Sequence, residues 1–228
     1  MKPLIPAHDP APWEAVLARD RGLDPNSALI WMPAVEAADG LFPRTIAVRV
    51  DPDALWLAIG EARETDMPHA GPIDWAALRA AALEIGLPAF VRSDLSSAKH
   101  DGPDTYRLDN IEDIETRVLG TFYDNCMKDL TTGPTPMRAI LFREWLDLDA
   151  PFTAFGGGGP GHPIAHEWRV FVGGGRRPCS HFYWPEDAFE EANPSRPDWR
   201  DVRTAMEEIR PAARAALVSR AERVVAAL

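Results

Sequence analysis

Two short apolar runs each carry an arginine with a glutamate close by. Ala139 to Phe142 delivers Arg143 and Glu144 at its end, and Trp168 to Val172 carries Arg169 between hydrophobic neighbours with Glu167 just before it. Runs rich in aromatic and β-branched residues form strands that pack by burial, and arginine is almost never fully buried without a partner. The spacing therefore predicts two strands that bring two arginines and two glutamates towards one place, where something must pair with the charges. The competing reading is the polar face of an ordinary half-buried sheet, with Arg143 beside Glu144 and Arg169 beside Glu167.

A third cationic group precedes these. A predicted strand from Ala89 to Arg92 runs straight into SDLSSAKHDG, whose serines, aspartates and glycine predict a loop with hydroxyls and backbone amides free to face a ligand, flanked by Arg92 and Lys99. Such a loop suits phosphate, although the spacing of a Walker P-loop is absent and a plain solvated surface has the same composition. His162, His166, Cys179 and His181 have donor atoms that zinc accepts, but their spacing matches no familiar site and neighbouring His and Tyr on strands explain them. Gly156 to Gly159 has no helix start immediately behind it, so a flexible loop is expected there rather than a phosphate cradle.

Composition narrows the partners. Of 228 residues, 46% are hydrophobic, enough for a globular core, and 35 acidic against 24 basic residues leave a net charge of -11. That balance argues against nucleic acid and against an anionic membrane surface as partners, so the arginines are expected to act locally. Cys126 and Cys179 lie in different predicted elements and give no disulfide framework. The opening MKPLIPAHDPAP lacks the apolar core of a signal peptide, and no stretch approaches the roughly 20 apolar residues of a membrane span. A cytoplasmic protein is the expectation.

The elements that must position these groups follow from pattern and punctuation. A proline-rich lead holds one short predicted helix, Trp13 to Arg19, and ALIWMP reads as a buried strand. Phe42 to Asp51 is a clearer strand, closed by Pro52 at the start of a helix to Glu64. Asp74 caps a helix whose Leu78, Ala81, Ala82 and Ile85 make an apolar face, ended by Gly86 and Pro88. Asp109 or Asn110 caps a long helix from Ile111 to about Leu130. GGGRRP predicts a hairpin turn that returns Cys179 to Trp184 antiparallel to the second arginine strand. Ala188 to Arg196 is a short helix or irregular link, and from Asp198 a helix runs to the end with a break at Pro211. Interleaved strands and helices with an antiparallel pair indicate an α+β class with mixed or antiparallel sheets.

Taken in order, FVRSDLSSAKH, FREWLDLD and HEWRVFV with its following HFYW resemble the arginine–serine turn–lysine, hinge and Glu-x-Arg-x-Phe-Val segments of the ATP-grasp superfamily, most closely Cdc123-like proteins and related bacterial and phage ATP-grasp proteins. The resemblance covers residues 88 to 184, with 42 to 86 fitting more loosely as the small lobe. It implies two α+β lobes clasping a nucleotide, residues 1–86 as N-terminal region and small lobe and 87–228 as the nucleotide-binding core. It further implies ATP, with magnesium, as cofactor: Arg92, Lys99, Arg169 and, less directly, Arg143 on phosphate oxygens, the backbone of Trp145 and Leu146 with the Glu144 side chain on adenine, and Asp147 near the ribose. Glu167 belongs to the same set, and Arg92 and Arg169 carry the catalytic role. Guanidinium forks suit phosphate, and transfer of a γ-phosphoryl group needs positioning and charge neutralisation above all.

The sequence also departs from the family. The late aspartate strand and Glu-x-Asn strand that hold magnesium are not found, and Glu191-Ala192-Asn193 copies only the letters, so the metal ligands stay unassigned. The resemblance implies an ATP-dependent carboxylate–amine ligase working through an acyl phosphate, on an acceptor that is a small molecule, a peptide or a protein. The alternatives are an ATP-binding assembly factor like the Cdc123-like proteins, and a kinase-like phosphotransferase.

Overall fold

The structure is a computed structural model that describes residues 27–37, 42–60, 71–96, 106–132, 137–155, 161–173, 176–189, 192–208 and 211–226. These form two compact units, the first reaching to Leu146 and the second beginning at Asp147. Both mix helices with antiparallel sheet, as the α+β reading expects. Among the described residues no helix is long and apolar enough to cross a membrane.

In the first unit, helix α1 (Ala28–Ala37) precedes strand β1 (Thr45–Arg49), helices α2 (Pro52–Ala58) and α3 (Trp75–Ile85), and strands β2 (Ala89–Ser93) and β3 (Arg107–Leu108). A short 3-10 turn, Ile111–Asp113, leads into α4 (Ile114–Thr132), and β4 (Ala139–Glu144) closes the unit. The four strands make one antiparallel sheet in the order β1-β4-β2-β3, so the last strand lies between the first two. The first unit runs past residue 86 to Leu146, because β1, from the earlier segment, pairs with β4.

Alternation along the strands gives the sheet two faces. Ile46, Val48, Val91, Ile140 and Phe142 point to one side and pack with Leu55, Leu78, Ile114, Val118 and Phe122 of α2, α3 and α4. Each fully buried Phe or Leu in such a core contributes about 1.5–3 kcal/mol. The caps are those the sequence marks: the Asp74 carboxylate accepts from Ala77 N at 2.8 Å, and Gly86 ends α3 with a positive φ of 93° that glycine adopts without strain. Arg44 adds a second stop, its guanidinium donating to the Glu84 and Ile85 carbonyls at 2.9 and 2.6 Å.

The opposite face is covered in part by α1, whose Leu29 and Met32 meet Ala47, Ala139 and Leu141. Here ALIWMP is helix, not strand. Ser27 supplies the reason: its carbonyl accepts from Ile30 N and Trp31 N and its hydroxyl from Leu29 N, so the chain enters already wound. A six-residue apolar run carries too little periodicity to separate a buried strand from a buried helix. Pro33 stands inside the helix and removes one backbone donor from it. Asn110 likewise makes no side-chain cap, and the 3-10 turn opens α4 instead. The predicted helix from Trp13 to Arg19 lies outside the described residues.

In the second unit, β5 (Phe152–Ala154) pairs with β6 (His162–Ile164), and β7 (Trp168–Gly173) pairs antiparallel with β8 (Arg176–Phe182), the predicted hairpin. A 3-10 turn, Glu186–Phe189, then α5 (Trp199–Glu207) and α6 (Pro211–Ala226) follow, with the break at Pro211 where expected. Phe152, Ile164, Phe182, Trp184, Phe189, Trp199 and Met206 make the core. Residues 192–195 run along β5: Phe155 N donates to the Ala192 carbonyl, Ser195 N to the Thr153 carbonyl, and Thr153 N to Ser195 Oγ. Asn193 is exposed on this segment with a positive φ of 46°, and Glu191 lies outside the described residues.

Candidate anion site

On the α1 side of the first sheet, beyond the area that helix covers, strand pairing collects cations. Arg143 is the direct partner of Thr45 on β1 and of Phe90 on β2, while Arg92 is the partner of Leu141, two residues back along β4. Directly paired residues share a face, so Arg92 and Arg143 are diagonal neighbours on one surface. Both are only partly exposed. Burial pushes the Arg143 guanidinium down to about 10, and the nearby charge of Arg92 pushes the same way. Arg92 is lowered by burial too, with Asp94 pulling it partly back.

Among the described residues each guanidinium makes one hydrogen bond. Arg92 Nε donates to the carbonyl of Ser93 at 3.0 Å, and Arg143 Nε to Thr45 Oγ1 at 3.3 Å. Among the described residues neither has a carboxylate partner. The expected Arg143–Glu144 pair is not formed, since adjacent strand residues point to opposite faces. Two like charges held side by side in a partly dry place are stabilised by an anion, and a guanidinium fork suits a phosphate or carboxylate.

An aromatic ledge adjoins the arginines. Phe90 packs on Tyr106 with ring centroids 4.9 Å apart, and Tyr106 stacks on Trp145 at 6.1 Å and 11°. The Arg107 guanidinium lies 4.7 Å over the Trp145 ring and is also paired with Asp109 at 2.9 Å. Burial raises the Tyr106 hydroxyl above its usual range. Leu146, next along, is 48% exposed, so this end of β4 presents apolar surface beside cationic surface.

The Glu144 carboxylate is committed on the core side of the sheet, accepting from Arg44 N at 2.7 Å while Glu144 N donates to the Arg44 carbonyl at 2.9 Å. Asp147, Glu167 and Arg169 belong to the second unit, so the two arginine strands are not neighbours in one sheet. Asp147 is exposed. Arg169 is exposed on β7 opposite His181, and its guanidinium sits 4.1 Å over the Tyr183 ring rather than on Glu167. The Glu167 carbonyl accepts from Tyr183 N at 2.9 Å, and its Oε2 is buried without a hydrogen bond. Lys99 lies outside the described residues.

The described part of the serine-rich loop is not open to a ligand in the way its composition suggests. Ser93 Oγ accepts from Leu95 N and Ser96 N at 3.2 and 2.7 Å and bonds Asn125 Oδ1 at 2.8 Å, so the hydroxyl and two amides are consumed by a tight turn. Asp94, which sequence reading passed over, is 1% exposed and fully engaged: it accepts from Ser27 Oγ at 2.5 Å, Arg138 N at 2.9 Å and Ala139 N at 3.2 Å. An Asp directly after a strand and ahead of serines was the available signal, because such residues bond local backbone.

Among the described residues no three His, Cys, Asp or Glu side chains come together, and Asp94 and Glu144 already serve backbone donors. The histidines and Cys179 form no zinc group either. Comparison with known proteins found no matching family model, no matching curated protein and no matching solved structure.

Proposed function

We propose that the first unit binds the phosphate groups of a nucleotide, ATP by its sequence resemblance to the ATP-grasp superfamily, through Arg92 and Arg143. What carries the reading is the adjacency of these two arginines on one sheet face, each without a carboxylate partner among the described residues. The aromatic ledge of Phe90, Tyr106 and Trp145 gives a base somewhere to lie. On this reading ATP-dependent carboxylate–amine ligation is the leading use of the bound nucleotide. Magnesium would screen the phosphate charge if bound, held by one or two carboxylates together with phosphate oxygens, and no step is assigned to the metal.

Calorimetry with ATP tests the reading. Arg143→Ala and Arg92→Ala should each weaken binding by about 1.5–3 kcal/mol, the value of a lost hydrogen bond to a charged group. Parent affinity in both variants would end the assignment. ADP release over a panel of amino acids and peptides separates a ligase from an assembly factor that binds ATP without consuming it.

A further inference from the structure

Among the described residues Arg143 makes one side-chain hydrogen bond, to Thr45. Its Nε donates to Thr45 Oγ1 at 3.3 Å, across the direct β1–β4 pairing of the two residues. Thr45 is 4% exposed, and its hydroxyl proton is spent on the carbonyl of Pro43 at 2.8 Å. A hydroxyl has one proton and two lone pairs, so donating to Pro43 leaves only acceptor capacity to offer Arg143. The branched side chain is stiff at χ1, which adds to the constraint.

The anchor behind Thr45 is equally firm. Arg44 is bonded through its backbone amide and carbonyl to Glu144, and through its guanidinium to the last carbonyls of α3. Thr45 therefore sits between a strand end and a helix end that are both tied down. Glu144, expected to read adenine, works on the core side of the sheet as part of that latch.

We propose that Thr45 is the positioning residue of the anion site: its oriented hydroxyl holds the Arg143 guanidinium beside that of Arg92, so that both forks face one anion. This rests on the phosphate-binding reading above. Preorganisation matters because a long cationic side chain otherwise loses rotamer freedom on binding, and two repelling arginines would separate in the free protein.

The test compares Thr45→Val, Thr45→Ser and Arg143→Ala in the full chain, measuring ATP and inorganic pyrophosphate affinity by calorimetry and melting temperature alongside. Thr45→Val keeps the shape and removes the acceptor, so affinity for both probes should fall about five- to tenfold, the effect of one lost hydrogen bond. Thr45→Ser keeps the hydroxyl and should bind within about twofold of the parent even if it melts lower, since it loses only a methyl group. Parent-like binding by Thr45→Val, with Arg143→Ala weakened, would overturn the positioning role while leaving the site intact. Equal losses in Thr45→Val and Thr45→Ser would overturn it too, by assigning the effect to packing. Arg143→Ala binding as tightly as the parent would overturn the phosphate reading itself, and the role of Thr45 with it.

Discussion

If Arg143 binds phosphate as proposed, it sets stability against binding. Its proton is held less tightly in the folded chain than in the unfolded one, since burial and Arg92 both disfavour the charge. The sign follows from linkage: the folded state is penalised while the group is charged, and the penalty fades only as pH rises past about 10, where the folded group loses its proton ahead of the unfolded one. At neutral pH the charge is therefore a standing cost. Arg143→Met, which keeps length and removes charge, should raise the melting temperature of the ligand-free chain while abolishing the further rise that pyrophosphate gives the parent. A lower melting temperature in that variant would show the arginine to be structural. Arg143 was legible because an arginine closing an apolar run has few explanations, whereas the fate of Glu144 was not: sequence cannot tell which face of a strand a register will give a residue.

Among the elements, β2 and α1 are joined by Asp94. Its carboxylate takes the Ser27 hydroxyl at the start of α1 and two amides at the start of β4, and its own amide donates to the Ala139 carbonyl at 3.1 Å. Asp94→Ala leaves buried donors without an acceptor and should cost about 3 kcal/mol, read by urea denaturation. Asp94→Asn keeps an acceptor oxygen and should cost less. Loss of amide protection should be greatest over Leu29 to Met32, and uniform protection would refute the link. Capped helices such as α3 were plain in the sequence because Asp74 and Gly86 announce their ends. Helix α1 was not, for its N-terminal residue depends on a partner 67 positions away.

For the chain as a whole, alternation and punctuation were enough to place most strands and helices, and the α+β class followed from them. They could not place the division at Leu146, because that depends on which strands pair, and β4 enters between β1 and β2 from far along the sequence. Thr45 and Arg143 are 98 residues apart. On a ribosome working at about 5–20 residues per second, β1 waits roughly 5 to 20 s for its strand partner β4. Until β4 arrives, β1 and one edge of β2 offer unpaired backbone, the exposure that invites association with other chains. Arg92 and Arg143 also meet only at that step, so closing the sheet means bringing two like charges together. Refolding from urea should consequently run faster in pyrophosphate than in chloride of equal ionic strength, an effect absent from Arg143→Met. A multivalent anion would then act on this protein before it is folded as well as after, as the counter-charge that lets its central strand dock.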